Sequence, residues 1–345
     1  MNNYNILTCS RSFLASLAIA ASLGLAGPAA AEDGKTLKFS HVFSNTHWLW
    51  TDSFKDFEAR VAERTGGKID FVNFHAGQLG KELSSIMKSG MADMGIFVPS
   101  YEPSKLPLSS VAELPSLYSS SCEGTQKLWE LAKEGGVLDK KEYEPLGVKI
   151  LYVHVLHPYK LMTGKEQVAT LEDVNGLKIR GNGSSMSKVV RALGGVPVQT
   201  TTSEVYDALS RGTVDGAMWP IGSTRESSLD GILQYSVEGP GFGSGAVLFG
   251  ITTKAWKQLS PETQEVMQST ALEVQQELCE SRDKDTVRMT QWLVAERGLK
   301  VVELSEQEVA RWDSRLALIP QEWAEEMDSS GRSGSEMLKA FREAG

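Results

Sequence analysis

Residues 176–220 read GLKIRGNGSSMSKVVRALGGVPVQTTTSEVYDALSRGTVDGAMWP, and this stretch decides the fold class. Residues 177–180 are a short β-rich run, a helical pattern follows over about 184–193, and 196–199 is β-rich again. A helix over about 203–210 starts at Thr201 or Ser203, whose hydroxyl can accept from a free first-turn N–H, and closes at Gly212, before a third strand over 214–219. Strand and helix in alternation bury both sheet faces under helices, so the reading is an α/β layer with a largely parallel sheet.

Working outward, the same alternation fills residues 35–160. Strands are expected at 37–41, 69–74, 94–98 and 150–155, with helices near 48–64 and 81–89, and Leu161-Met162 opens the second unit. Downstream, Ser260-Pro261-Glu262 combines an N-cap serine, proline at the first helical position and an acid in the first turn. Nothing stops that helix before Gly298, and at 1.5 Å per residue it reaches about 55 Å, far enough to touch two lobes. Met267, Ala271, Val274 and Leu278 form one apolar stripe, and Met289 and Trp292 resume burial. Residues 280–285 between them are polar, so two helices broken there are the alternative. The tail carries a capping box at Ser305 and Glu308, a break at Pro320 and a last helix near 335–342.

The first residues have the three parts of a secretory signal peptide: Arg11 as the only charge, an apolar run over 13–25, then Pro28-Ala29-Ala30-Ala31. The run is shorter than the roughly 20 residues a membrane span needs, so cleavage after about Ala31, a periplasmic location and no stable membrane insertion are expected. Cys9 precedes the apolar run, which does not suit a lipid anchor. The composition, 41% hydrophobic and 23% charged with a net charge of -9, is that of a globular chain. It offers no basic tract for nucleic acid. Cys122 and Cys279 remain after cleavage, and either a disulfide or two buried thiols fits.

Residues 176–220 resemble the substrate-binding subunit of TRAP transporters, often called C4-dicarboxylate-binding periplasmic proteins. The resemblance is carried by Gly-Leu-Lys-Ile-Arg180, Ala-Leu-Gly-Gly-Val-Pro-Val198, Ser-Glu-Val-Tyr-Asp-Ala-Leu209 and Val-Asp-Gly-Ala-Met-Trp-Pro220, in that order. Thr65-Gly-Gly-Lys-Ile69, Gly77-Gln-Leu-Gly80 and Gly90-Met-Ala-Asp-Met-Gly95 extend it upstream. It implies a two-lobed periplasmic binding protein fold, two α/β domains joined by a hinge and bridged by a long helix. Residues 32–157 plus about 242–278 would form lobe I, and 158–241 plus about 279–345 lobe II. It also implies the job of closing around a small organic acid and delivering it to a permease made of a small and a large membrane subunit.

Arg180 stands where the family places its carboxylate-binding arginine, and a guanidinium fork with parallel charge-assisted donors suits that task. The helix opening at residues 181–185 adds free N–H groups beside it. Lys165 lies roughly where some relatives carry a second cation, and Thr202 where the cleft is often lined by an aromatic residue. Trp219 replaces an asparagine that hydrogen-bonds the ligand in relatives, and its one N–H and large apolar face favour a monocarboxylate with an apolar or aromatic body. Met218 replaces an acid that helps hold a metal in one branch, so no metal and no cofactor are expected. In the first lobe His47, Phe97 and Tyr101 lie near strand ends on the expected cleft side, since ligands of open α/β sheets sit beyond the carboxyl ends of the strands.

Other signals carry less. His154 and His157 lack further ligands at zinc spacing. Ser185 and Lys188 match a Ser-x-x-Lys pattern without its companion motifs. Residues 239–250 are glycine-rich without the Gly-Lys ending of a phosphate loop and read as a hinge crossing. No nucleophile with a paired base stands out, so an enzyme is not expected. A ligand sensor acting with a signalling partner is the main alternative to transport, and a periplasmic enzyme a weaker one.

Overall fold

The computed structural model describes residues 34–345, and the signal-peptide reading lies outside the described residues. The first sheet contains β1 (Lys35–Ser40), β2 (Ile69–Phe74), β3 (Met94–Phe97) and β4 (Val148–Val155). The second contains β5 (Lys160–Thr163), β6 (Lys178–Gly181), β7 (Val196–Gln199), β8 (Gly216–Trp219) and β9 (Tyr235–Glu238). The chain then returns with β10 (Ala246–Thr252) to the first sheet and ends its strands with β11 (Lys300–Glu303) in the second. The orders are β2-β1-β3-β10-β4 and β11-β9-β5-β8-β6-β7.

Each sheet is parallel except for one strand. β10 runs antiparallel to both β3 and β4, and β5 antiparallel to both β8 and β9. These are the two strands that directly follow a crossing between lobes, where a short connection returns the chain in the opposite sense. The crossings lie side by side: the Leu156 N–H donates to the Gly245 carbonyl at 2.9 Å and the Tyr159 N–H to that of Gly243 at 2.8 Å. Gly243 is required there. Its φ is +79°, and an added Cβ would lie 2.4 Å from the Glu113 carbonyl oxygen.

The long helix is unbroken over Pro261–Arg297. The Ser260 side chain caps its start by accepting from the Thr263 N–H, and Gly298 ends it in the left-handed conformation. Residues 280–285 do not break it, because that polar patch is where the helix docks. Asp283 accepts from the N–H groups of Ser121 at 2.7 Å and Cys122 at 3.1 Å, capping the helix Ser121–Ala132, and also contacts His157 Nδ1 at 2.9 Å. Arg282 reaches Asp52 at 3.0 Å and Asp285 at 2.6 Å. Met267, Ala271, Val274 and Leu278 pack into the first lobe's core with Phe54, Phe57 and Tyr152, while Leu293 joins Trp219 and Ile221 in the second's. A Cys122–Cys279 disulfide fastens the helix beside β4, resolving the open choice about the two thiols.

The tail departs from the expectation that all of 279–345 belongs with lobe II. Helix Glu306–Leu316 packs on second-lobe helices, but the last helix, Gly334–Glu343, lies against Ser121–Ala132 of the first. Its buried Met337, Leu338 and Phe341 belong to one core with Tyr118, Leu128 and Leu131. The tail therefore spans both lobes, because the helices it covers expose apolar faces on both.

Candidate ligand-binding cleft

The C-terminal ends of β6, β7 and β8 converge on one edge of the second sheet. β6 is in parallel register with both neighbours, Arg180 pairing with Val198 and Ala217. Side chains two apart on a strand share a face, so Trp219, two residues beyond Ala217, stands on the same side as Arg180. The Arg180 guanidinium lies 5.1 Å from the centre of the Trp219 ring.

Arg180 is 1% exposed. Nη2 donates to the Thr200 carbonyl at 3.1 Å, Nη1 reaches that of Met218 at 3.5 Å, and Nε has no hydrogen-bond partner. Among the described residues no carboxylate pairs with it. Burial pushes its pKa down, while the nearby phenols of Tyr159 and Tyr101 act in the opposite direction. Taking a charge out of water costs several kcal/mol unless a counter-charge meets it. The chain therefore holds a desolvated cation whose natural complement is an anion entering the cleft.

That cleft is a pocket of about 510 Å³ including its mouth, formed by both lobes. Arg180, Asn182, Thr202, Trp219 and Ser223 come from the second lobe; His47, Trp48, Val98, Tyr101 and Val247 come from the first. The crossing adds Leu156 and Tyr159. Trp48 is fixed on three sides. Its Nε1 donates to Ser223 Oγ at 3.1 Å, the Arg282 guanidinium sits 5.0 Å from its ring, and His154 meets it edge-on at 5.3 Å. Trp219 is 2% exposed and its Nε1 has no partner. His47 is pushed down to about 4 by burial first, with Asp52 and Arg282 acting in opposite senses, so its ring is neutral at pH 7. Its 3.7 Å approach to Glu226, whose own carboxyl is raised by burial to about 7, is too long for a hydrogen bond.

Five residues singled out from sequence thus line one pocket: Arg180, Trp219, Thr202, His47 and Tyr101. Two do not. Lys165 is exposed at the far edge of the second sheet, because β5 runs antiparallel to β8: Lys160 pairs with Trp219 at the cleft, whereas Thr163 pairs with Gly216 at the other end. Phe97 is 1% exposed and buried with Leu83, Ile86 and Leu248, leaving the next residue, Val98, to face the pocket. Trp48, Tyr159, Asn182 and Ser223 were not foreseen as individual contacts. Asn182, in the loop directly after Arg180, and Trp48, directly after His47, were within reach of sequence reasoning. Tyr159 depends on how the hinge strands cross.

No group of three or more His, Cys, Asp or Glu side chains among the described residues could hold a metal ion. His154 and His157 are engaged separately, the first against Trp48 and the second on Asp283. No helix among them is long and apolar enough to cross a membrane.

With this geometry in view, comparison with known proteins places the chain. The C4-dicarboxylate-binding periplasmic protein DctP of Rhodobacter capsulatus is 25% identical over 332 residues, covering 95% of this chain and 96% of the relative. A TRAP solute-binding protein from Rhodoferax ferrireducens, solved with copurified benzoate, superposes with a TM-score of 0.79 at 22% identity, over 89% of this chain and 96% of that one. A marine metagenome TRAP solute-binding protein specific for aromatic acid ligands, solved with 3-hydroxybenzoate, gives 0.80 at 23% identity, over 90% and 97%. The model of the bacterial extracellular solute-binding protein family 7 matches residues 39–326, and the chain belongs to that family.

Proposed function

We propose that this protein captures an aromatic monocarboxylate in the periplasm and delivers it to a TRAP-type permease of small and large membrane subunits. The observation that carries the ligand reading is Arg180, a buried guanidinium with a free Nε and no carboxylate partner among the described residues, set against the face of Trp219. One cation beside the rings of Trp48, Tyr101, Tyr159 and Trp219, with Asn182, Thr202 and Ser223 as neutral polar groups, suits one carboxylate on an aromatic body. A second ligand carboxylate would find no second cation in the lining, and burying it against Trp48, Val98, Leu156 or Val247 would cost several kcal/mol.

The fold by itself does not choose the ligand, since the similar Rhodobacter protein is named for C4-dicarboxylates and two structural neighbours hold benzoate and 3-hydroxybenzoate. The wall chemistry favours the aromatic side. In this reading cleavage after about Ala31 releases the mature protein, Arg180 and Tyr159 receive the carboxylate, Trp48 and Trp219 flank the ring, and no chemistry is done on the ligand. Contacts from both lobes then favour the closed form in proportion to their preference for it.

Thermal melting of mature protein, unfolded and refolded to strip carried-over ligand, tests this. A ligand at about 1,000 times its Kd adds roughly 4 kcal/mol to stability. Benzoate and its hydroxy derivatives should raise the melting temperature, while succinate and malate should not. A shift confined to the dicarboxylates would overturn the ligand class.

A further inference from the structure

His47, in the loop after β1, and Glu226, in the loop after β8, approach each other across the cleft from opposite lobes. A wider chamber, about 1750 Å³ including its mouth, opens outward from the ligand pocket and shares Phe43, His47, Tyr101, Thr202 and Ser227 with it. Arg180 lines only the inner pocket and Glu226 only the outer chamber, so a ligand anchored on Arg180 meets this pair on its outward side. His47 Nδ1 accepts from the Leu49 N–H at 3.2 Å. A backbone N–H can only donate, so in the neutral ring the proton is on Nε2. That nitrogen lies 3.7 Å from Glu226 Oε1, and neither it nor the Glu226 carboxyl has a hydrogen-bond partner among the described residues. One oxygen atom fits the gap, since an oxygen about 2.8 Å from each end spans it.

The pair also dictates what the bridging group is, because that group must accept from Nε2–H and donate to the carboxyl. A second ligand carboxylate cannot donate and meets Glu226 as a like charge. An ammonium cannot accept, and a methyl leaves both groups unpaired. A hydroxyl does both, and the carboxyl accepts from it whether ionised or not. We propose that His47 and Glu226 read a hydroxyl on the ring, so that the ligand is a hydroxylated aromatic acid with its carboxylate inward on Arg180 and its hydroxyl toward the mouth. This rests on the proposed aromatic monocarboxylate and narrows it. One ligand atom then bonds to both lobes, a contact that favours the closed form. The His47 side chain is 16% exposed and that of Glu226 34%, so water competes at this end and the hydroxyl adds about 10-fold in affinity rather than the larger factors of fully buried pairs.

Calorimetric titration of refolded mature protein with benzoate and with ortho-, meta- and para-hydroxybenzoate tests the pair through the ratio of affinities within each protein. In the natural protein at least one isomer should bind about 10-fold tighter than benzoate, and the ratio for that isomer should fall to about 1 in Glu226→Ala and in His47→Phe. Because the ratio is taken within one protein, a general loss of stability or of affinity for the ring cancels. No isomer tighter than benzoate in the natural protein, or a ratio that survives in either variant, would overturn the pair. Benzoate bound without a gain from the hydroxyl sinks the pair alone, whereas no binding of any aromatic acid sinks the proposed ligand class with it.

Discussion

Replacing Arg180 with methionine separates binding from folding, because the two should move in opposite directions. Methionine keeps the length and much of the volume of the side chain and removes the charge. In the ligand-free protein the guanidinium is 1% exposed and is compensated only by two carbonyls, one at 3.1 Å and one at the outer limit of 3.5 Å. Losing those bonds costs roughly 1–3 kcal/mol. Relief of an uncompensated buried charge returns several, and exchanges of buried ionic groups for apolar ones are often neutral or stabilising by about 1–4 kcal/mol. The net expectation for Arg180→Met is a gain of about 1–2 kcal/mol, or roughly 2–4 °C in melting temperature for a chain of this size. Ligand binding should collapse at the same time. Removing one partner of a buried charge pair costs about 2–5 kcal/mol, which weakens binding by roughly 30-fold to several thousandfold. The assay is a melting curve of refolded protein with and without benzoate at about 30 times the natural protein's Kd, where binding adds about 2 kcal/mol to the natural protein and no more than about 0.4 to a variant weakened about 30-fold. A variant that melts several degrees lower without ligand, or that keeps the benzoate shift, would refute the reasoning.

Three further outcomes are expected. Trp219→Leu should weaken benzoate about 10- to 100-fold through lost ring contact while changing a short aliphatic acid far less, measured by calorimetric titration. Reducing the Cys122–Cys279 bond, or replacing both cysteines with serine, should cost about 2–4 kcal/mol in chemical denaturation, because a long loop of the unfolded chain is released. Asp283 is pushed up by burial, but its bonds from His157, Ser121 and Cys122 outweigh that and leave its pKa depressed. The stability it contributes is therefore present above the ordinary aspartate range and lost as pH falls through the depressed folded value, so the gap in melting temperature between Asp283→Asn and the natural protein should close in acid.

The parts of the fold that local chemistry specifies were legible in the sequence. Ser260 and Gly298 bound the long helix where an N-cap serine and a left-handed glycine predict. Arg180 ends its strand at the cleft because the α/β alternation around it determines which end of the sheet faces outward. The errors share one cause, which is that strand direction and tertiary partners are not local properties. Lys165 would be at the cleft if β5 ran parallel to β8. Phe97 and Val98 differ by one step of strand alternation, and only the packing of Leu83 and Leu248 shows which is inside. The polar patch at 280–285 resembles a helix break until Asp52, Ser121, Cys122 and His157 are seen to meet it. Cys122 and Cys279 are 157 residues apart and become neighbours only when the bridging helix docks.

Calorimetric titration of refolded mature protein with benzoate and with succinate tests most directly whether the buried Arg180 cation takes a single carboxylate beside Trp48 and Trp219. The expected result is one benzoate bound per chain at micromolar affinity or better, about -8 kcal/mol, with no measurable heat of binding for succinate. Succinate binding as tightly as benzoate, or benzoate binding unchanged in Arg180→Met, would contradict it.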